Sequence, residues 1–164
     1  MILHRFQLCL LTLLSLLIVS CNSSSEETPK EILKGVPSIE GTKEYLDSPF
    51  VTAGDRVYMV GHQNGSFPEL GWHITGEMGG IWNHPIKLMD GFDIIIKAGI
   101  DSITMDNAHS FQNFPFANKH FYTWDSQNIE IERHQFVPDG KEGVFIKLKL
   151  KNLDNQDKKV NLRL

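Results

Sequence analysis

The sequence predicts an all-β domain of antiparallel strands over residues 49–164, behind an N-terminal leader and a polar tether. Three observations carry this. Asn128 to Val137 (NIEIERHQFV) alternates, with Ile129, Ile131 and Arg133 pointing one way and Glu130, Glu132 and His134 the other. Val144, Ile146, Leu148 and Leu150 form one face of a second run, with Lys147, Lys149 and Lys151 on the opposite face. Turn sequences punctuate the runs: Asp90-Gly91 is a strong hairpin signal, and Pro138-Asp139-Gly140 fixes a turn through proline, a side-chain acceptor and glycine.

The leader reads MILHRFQLCLLTLLSLLIVSCNSSSEE. Arg5 supplies a positive start, and Phe6 to Val19 is apolar apart from Gln7, Thr12 and Ser15. That run is short for a membrane span and has the length of a signal-peptide core. Ile18-Val19-Ser20-Cys21 resembles the bacterial lipobox, in which a small residue precedes an invariant cysteine. The resemblance implies that residues 1–20 are a lipoprotein signal peptide, that the Cys21 thiol takes a diacylglycerol, and that the new amine is acylated. A non-lipidated secretory signal and a retained membrane helix are the alternatives. Two or more acyl chains, at about 0.8 kcal/mol per buried methylene, would hold the protein firmly in a lipid bilayer. Cys9 would leave with the signal, so no cysteine pair remains for a disulfide or a metal.

Asn22 to Lys34 (NSSSEETPKEILK) buries nothing and reads as tether, so that residues 21–48 are the lipidated cysteine and its linker. A serine-acid run behind the lipidated cysteine resembles the surface-export signal of Bacteroidetes lipoproteins, and Asn22 is compatible with outer-membrane sorting. The resemblance implies an outer-membrane lipoprotein of the cell envelope, exposed at the surface; a plain polar linker is the alternative. Pro37 and Pro49 break any long helix, which leaves an extended approach with one helical turn near Lys43–Leu46.

Arg56 to Val60 is the first expected strand. Then follows the stretch Gly61 to Phe92, GHQNGSFPELGWHITGEMGGIWNHPIKLMDGF, which holds seven of the chain's 13 glycines and Trp72 and Trp82 of its three tryptophans. Asn64-Gly65 and Met78-Gly79-Gly80 mark breaks. Short strands are expected at Trp72–Thr75 and Pro85–Met89, with Phe92–Ala98 returning from Asp90-Gly91 as the partner of the latter. Ile100–Met105 adds a strand, and Asp106–Asn118 is read as a loop that packs Phe111, Phe114 and Phe116 inward. Phe121–Trp124, the two alternating runs and Val160–Leu164 complete the set. The last run alternates up to Leu164, and we expect the front of a longer protein rather than a complete small domain.

Charge excludes some partners. The formal net charge is −4, and without the leader and its single Arg5 it becomes −5. No basic patch is present, so nucleic acid is not an expected partner. No cofactor motif occurs. His62, His73 and His84 recur at even spacing but without a tight pair such as HxH or HxxxH, so no metal site is expected.

The Gly61–Phe92 segment resembles one near the start of bacterial lipoproteins of the glycogen-debranching type, similar to glycoside hydrolases that include processing glucosidase I, trehalases and glucoamylase-like enzymes. PDGKEGVFIKLKLKNLDNQDKKVNLRL resembles strands of the β-sandwich that opens such proteins. The resemblance implies an antiparallel β-sandwich-like domain here, incomplete by itself, and an (α/α) toroid carrying the acid and base carboxylates elsewhere. A sandwich of about 110 residues fits the size of such domains. The toroid does not occur in these 164 residues, so no catalytic residue is carried over. The implied role is the N-terminal portion of a membrane-anchored glycoside hydrolase, inactive alone, with its catalytic domain as partner and an oligo- or polysaccharide as ligand. A stand-alone carbohydrate-binding lipoprotein and a structural envelope lipoprotein are the alternatives.

Glu69, Glu77, Asp90, Asp93 and Asp106 are the carboxylates in the right region, but a glycosidase pair must lie about 5–9.5 Å apart, and sequence does not supply that spacing. Glu77 stands out for its glycine neighbours and Trp82. Trp72, Trp82 and Trp124 either stack on sugars or pack between sheets. Trp72, His73, Glu77 and Trp82 are therefore the candidate carbohydrate-binding or domain-interface residues.

Overall fold

Among the described residues, strands account for all the repetitive structure apart from two short 3-10 turns. The computed structural model describes residues 33–71 and 73–164. The expected signal peptide, Cys21 and Trp72 lie outside the described residues. Twelve strands form in the described part: β1 Ile39–Gly41, β2 Pro49–Ala53, β3 Tyr58–His62, β4 Gly80–Asn83, β5 Ile86–Met89, β6 Ile95–Ala98, β7 Asp101–Thr104, β8 Ser110–Asn113, β9 Ala117–Trp124, β10 Ile129–Phe136, β11 Phe145–Asn152 and β12 Asn161–Arg163. Every pairing is antiparallel. Among the described residues no helix is long and apolar enough to cross a membrane.

The strands make three sheets. The first runs β1-β8-β9-β10-β11, the second β2-β3-β4-β5, and the third β12-β6-β7. The two smaller sheets pack on the same face of the five-stranded sheet, giving a sandwich-like, all-β architecture. Under the third sheet, Ile94 and Ile96 meet Tyr122, Trp124, Ile129 and Ile131. Under the second, Phe50, Met59 and Ile81 meet Phe111 and Val137. Burying each such side chain contributes about 1.5–3 kcal/mol. The half-buried Phe92 packs against both clusters and joins them.

The alternating runs fold as their periodicity dictates. Ile129, Ile131 and Arg133 are buried on the inner face of β10, and Glu130 and Glu132 face outward. Trp124 is core, at 4% exposure. Phe111 and Phe114 are buried as expected, but residues 110–113 form β8 rather than loop and pair with both β1 and β9. Two strands occupy stretches expected to be irregular: β1 lies inside the tether assignment, and β2 precedes the expected first strand. The helical turn near residue 43 is the 3-10 turn Lys43–Tyr45.

The hairpin expected at Asp90-Gly91 does not form. β5 pairs with β4 in the second sheet, whereas β6 pairs with β7 and β12 in the third. The glycine serves a close approach instead: a Cβ on Gly91 would lie 2.3 Å from Cβ of Phe67. The Phe67 and Phe92 rings meet at that spot, tilted by 49° with centres 4.7 Å apart, and the chain passes beneath Phe67 from one sheet to the other. The strand expected at Trp72–Thr75 is also not formed: residues 73–75 are bend and turn.

Candidate functional site

Residues 63–79 leave the second sheet after β3 and return to its neighbour β4. The excursion starts in a tight turn. Gly65 N–H donates to the His62 carbonyl at 2.8 Å, and the Asn64 side chain accepts from Ser66 N–H at 2.9 Å and donates to Asp47 at 2.8 Å. Gly65 has φ +100°, and a Cβ there would lie 2.1 Å from the Tyr122 hydroxyl. Further along, Met78 N–H donates to the Leu70 carbonyl at 2.8 Å and closes the loop on itself.

The loop and the β5 end enclose an open cavity of about 260 Å³. Phe67 and Ile74 give it apolar wall, and Glu69, Glu77, Lys87 and Asp90 give it charge. Three of the five carboxylates singled out in the sequence thus converge there, while Asp93 and Asp106 are exposed elsewhere. Lys87 is the hub. Its Nζ donates to the Gly76 carbonyl at 2.6 Å, pairs with Asp90 at 2.5 Å, and sits 5.6 Å from the Trp82 ring centre.

The four candidate residues divide as follows. Glu77 lines the cavity, and its Oε1 accepts from His73 N–H at 2.9 Å. The His73 side chain is exposed and Glu77 is half-buried. Trp82 lies on the outer face of β4, paired with Tyr58 on one side and Lys87 on the other. The Tyr58 ring is parallel to it within 4° at 6.3 Å, and Trp82 Nε1 donates to the Gly79 carbonyl at 3.0 Å. Its ring is therefore flanked on both strand sides, and Lys87 connects it to the cavity. Trp72 lies outside the described residues.

A larger groove, about 430 Å³, runs across the outer face of the five-stranded sheet. Phe121 and Thr123 of β9, Ser110, Glu130, Lys149 and Lys151 line it. Lys151 pairs with Glu130 at 3.0 Å, and Lys119 pairs with Glu132 at 2.9 Å. Sequence reading put Ser110 in a loop and Phe121, Glu130, Lys149 and Lys151 on separate strands. Only the cross-strand register, which aligns Ser110, Phe121, Glu132 and Lys149 in one row, makes a groove of them.

A buried polar seam lies on the inner face of β9 and β10. Asn118 donates to Thr52 Oγ1 at 2.7 Å and accepts from Gln135 Nε2 at 2.8 Å. Arg133, fully buried, donates to the carbonyls of Met105 at 3.0 Å and Gly65 at 2.8 Å, and the Tyr122 hydroxyl donates to Met105 at 2.9 Å. The rings of Phe92 and Tyr122 lie within 5.9 Å of its guanidinium. Burial lowers the Arg133 pKa and raises that of Tyr122. Burial, aided by the Arg133 charge, holds His120 well below the usual imidazole range. On the outer face, burial and the neighbouring Lys119 push His134 down to about 4. His62 is lowered by burial. Among the described residues, no three or more histidines, cysteines or carboxylates cluster closely enough to hold a metal ion.

No protein-family model, curated protein or solved structure matches the chain.

Proposed function

We propose that the chain is the N-terminal β-sandwich portion of an envelope-anchored glycoside hydrolase of the glycogen-debranching type, held to the outer membrane through acylated Cys21 and exposed at the surface. The observation that carries this reading is the cavity built by residues 67–90, the same stretch that bears the family resemblance. It sets carboxylates and one ammonium group, which can bond sugar hydroxyls, beside an apolar wall. At about 260 Å³ it falls below the roughly 300–1,000 Å³ of complete ligand sites, which fits one wall of a site shared with a catalytic domain. In this reading no residue of the chain is catalytic. Glu77 and Lys87 shape the shared wall, and Trp82 braces Lys87.

A second reading, a carbohydrate-binding envelope lipoprotein that works without a catalytic domain, is favoured by the outer-face groove. At about 430 Å³, with Phe121 among hydroxyls and charges, it has the size and lining of a complete site.

The test is recovery of the native protein from detergent-solubilised envelopes with antibodies against residues 36–164. A polypeptide well above the 18.7 kDa of this chain that hydrolyses gluco-oligosaccharides is the expected result. A product no larger than the chain, without hydrolysis, overturns the first reading. Glycan binding by that product, lost in Phe121→Ala, establishes the second.

A further inference from the structure

Strand β11 is the edge of the five-stranded sheet, and it is long, exposed and sorted by face. It pairs with β10 alone, so every second residue turns its backbone N–H and carbonyl away from the sheet. Ile146, Leu148 and Leu150 point to the inner face, because their cross-strand partners are the buried Gln135, Arg133 and Ile131. The two smaller sheets do not cover them fully: Ile146 is 37% and Leu150 36% exposed, and Leu162 of the third sheet's edge strand is 58% exposed. On the outer face stand Lys147, Lys149 and Lys151. Lys151 is matched by Glu130, and Glu132 is taken by Lys119. Lys147 and Lys149 have no ion pair among the described residues.

We propose that β11 is a docking edge for an extended segment of a partner polypeptide in which aliphatic and acidic residues alternate. Such a segment adds a strand beside β11. Its backbone satisfies the outward-turned amides and carbonyls, its aliphatic side chains extend the inner apolar face beside Ile146, Leu148 and Leu150, and its carboxylates meet Lys147 and Lys149. Opposite charges side by side across strands are stabilising, and like charges are destabilising. That sign disfavours a second copy of this chain as the occupant, since two β11 strands would set one lysine row against another. Main-chain bonds supply affinity in this mode of recognition and alternate side chains supply specificity. The inference stands on the edge geometry and is independent of any glycan reading.

The experiment measures backbone amide exchange in the full chain, held in detergent micelles, with two capped decapeptides as probes. One alternates valine with glutamate, the other valine with lysine. The valine–glutamate peptide is expected to slow exchange at alternate residues of Phe145–Asn152 by at least about tenfold, the scale of roughly 1.4 kcal/mol, and the valine–lysine peptide to leave it unchanged. In the double variant Lys147→Glu, Lys149→Glu the preference reverses. Equal protection by both peptides, or none by either, overturns the proposal and leaves the lysines as guards against edge-to-edge association. Protection of β11 in the chain alone, accompanied by a dimer in sedimentation, overturns it in favour of a second copy.

Discussion

Arg133 reaches from the middle of β10 to the carbonyl oxygen of Gly65, 2.8 Å away, and so ties the centre of the largest sheet to the first turn of the glycine-rich excursion. The same guanidinium holds Met105 just after β7. One buried charge thus fixes where the chain leaves the second sheet and where it leaves the third. Its placement within a core costs desolvation, offset by two carbonyls and two aromatic faces.

Replacement of Arg133 by Met should therefore destabilise by about 2–4 kcal/mol, because the buried Gly65 carbonyl loses its charged donor and the Met105 carbonyl keeps only the Tyr122 hydroxyl. Tyr122→Phe should cost only about 1 kcal/mol, since Met105 keeps its bond from Arg133. Urea unfolding followed by tryptophan fluorescence separates the two. Equal losses would show that the arginine does not organise the seam.

Gly65→Ala should cost about 2–4 kcal/mol. Its φ of +100° is poor for any residue with a Cβ, and that atom would meet the Tyr122 hydroxyl at 2.1 Å and the Met105 carbonyl at 2.6 Å. Gly140→Ala is the control. It also has positive φ, but nothing lies within 4 Å of the added carbon, so its loss should be about 1 kcal/mol. Urea midpoints of the two variants, read side by side, give the comparison.

Acid should weaken the fold well before the carboxylates titrate. His134 has a folded pKa of about 4 against an ordinary 6.5, and His120 and His62 are lowered too. A base with a depressed folded pKa binds its proton more readily when unfolded. Its contribution is thus complete above pH 6.5 and is lost as pH falls from 6.5 towards 4. Lys119 and Lys147, which face His134 from β9 and β11, act in the same direction, and Glu132 opposes them. Asp101 and Asp154, lowered by hydrogen bonds from Ser126 and Lys158, add their loss only below about pH 3.8. Urea midpoints at pH 8, 6 and 5 should decline steadily, and His134→Gln should decline less.

Lys87→Met keeps most of the side-chain stem but removes the donor to Gly76 and the charge beside Asp90 and Trp82. The loss expected is about 1–2 kcal/mol, mostly from the charged hydrogen bond, because the partner Asp90 is exposed. Tryptophan emission should shift as the ring loses its cationic neighbour. An unchanged spectrum would mean that Lys87 does not connect Trp82 to the cavity.

Replacement of Cys21 tests the proposed anchor. Cys21→Ala should abolish incorporation of labelled fatty acid and leave the protein in the soluble fraction or in uncleaved form. Retained fatty-acid labelling would rule out Cys21 as the acceptor.

Period-two patterning made β10 and β11 readable, and it even placed Arg133 on the buried face with Ile129 and Ile131. It failed where the apolar signal is thin. In β8 only Phe111 is apolar, and β1 has only Ile39, itself 75% exposed. Asp90-Gly91 misled because a turn dipeptide does not say whether the chain reverses within a sheet or changes sheets. Phe67, many residues earlier, decides it. The polar seam was invisible for a different reason: Thr52, Asn118, His120 and Gln135 are residue types that normally face water, and only their mutual register permits burial. At the candidate site, the convergence of Glu69, Glu77 and Asp90 depends on how residues 63–79 fold back onto β5, which no local pattern encodes.

Since β3 and β4 are hydrogen-bonded neighbours, the loop of residues 63–79 begins and ends at adjacent strands. Its entry is secured at Gly65 and its exit at Gly79, by bonds that do not involve the intervening tip. The tip from Glu69 to Met78 can therefore lengthen or shorten at little entropic expense, about 0.6 kcal/mol per doubling, with every strand left in register. In evolution or in engineering, this is the position at which the molecule can be re-specified by insertion while its scaffold is inherited unchanged.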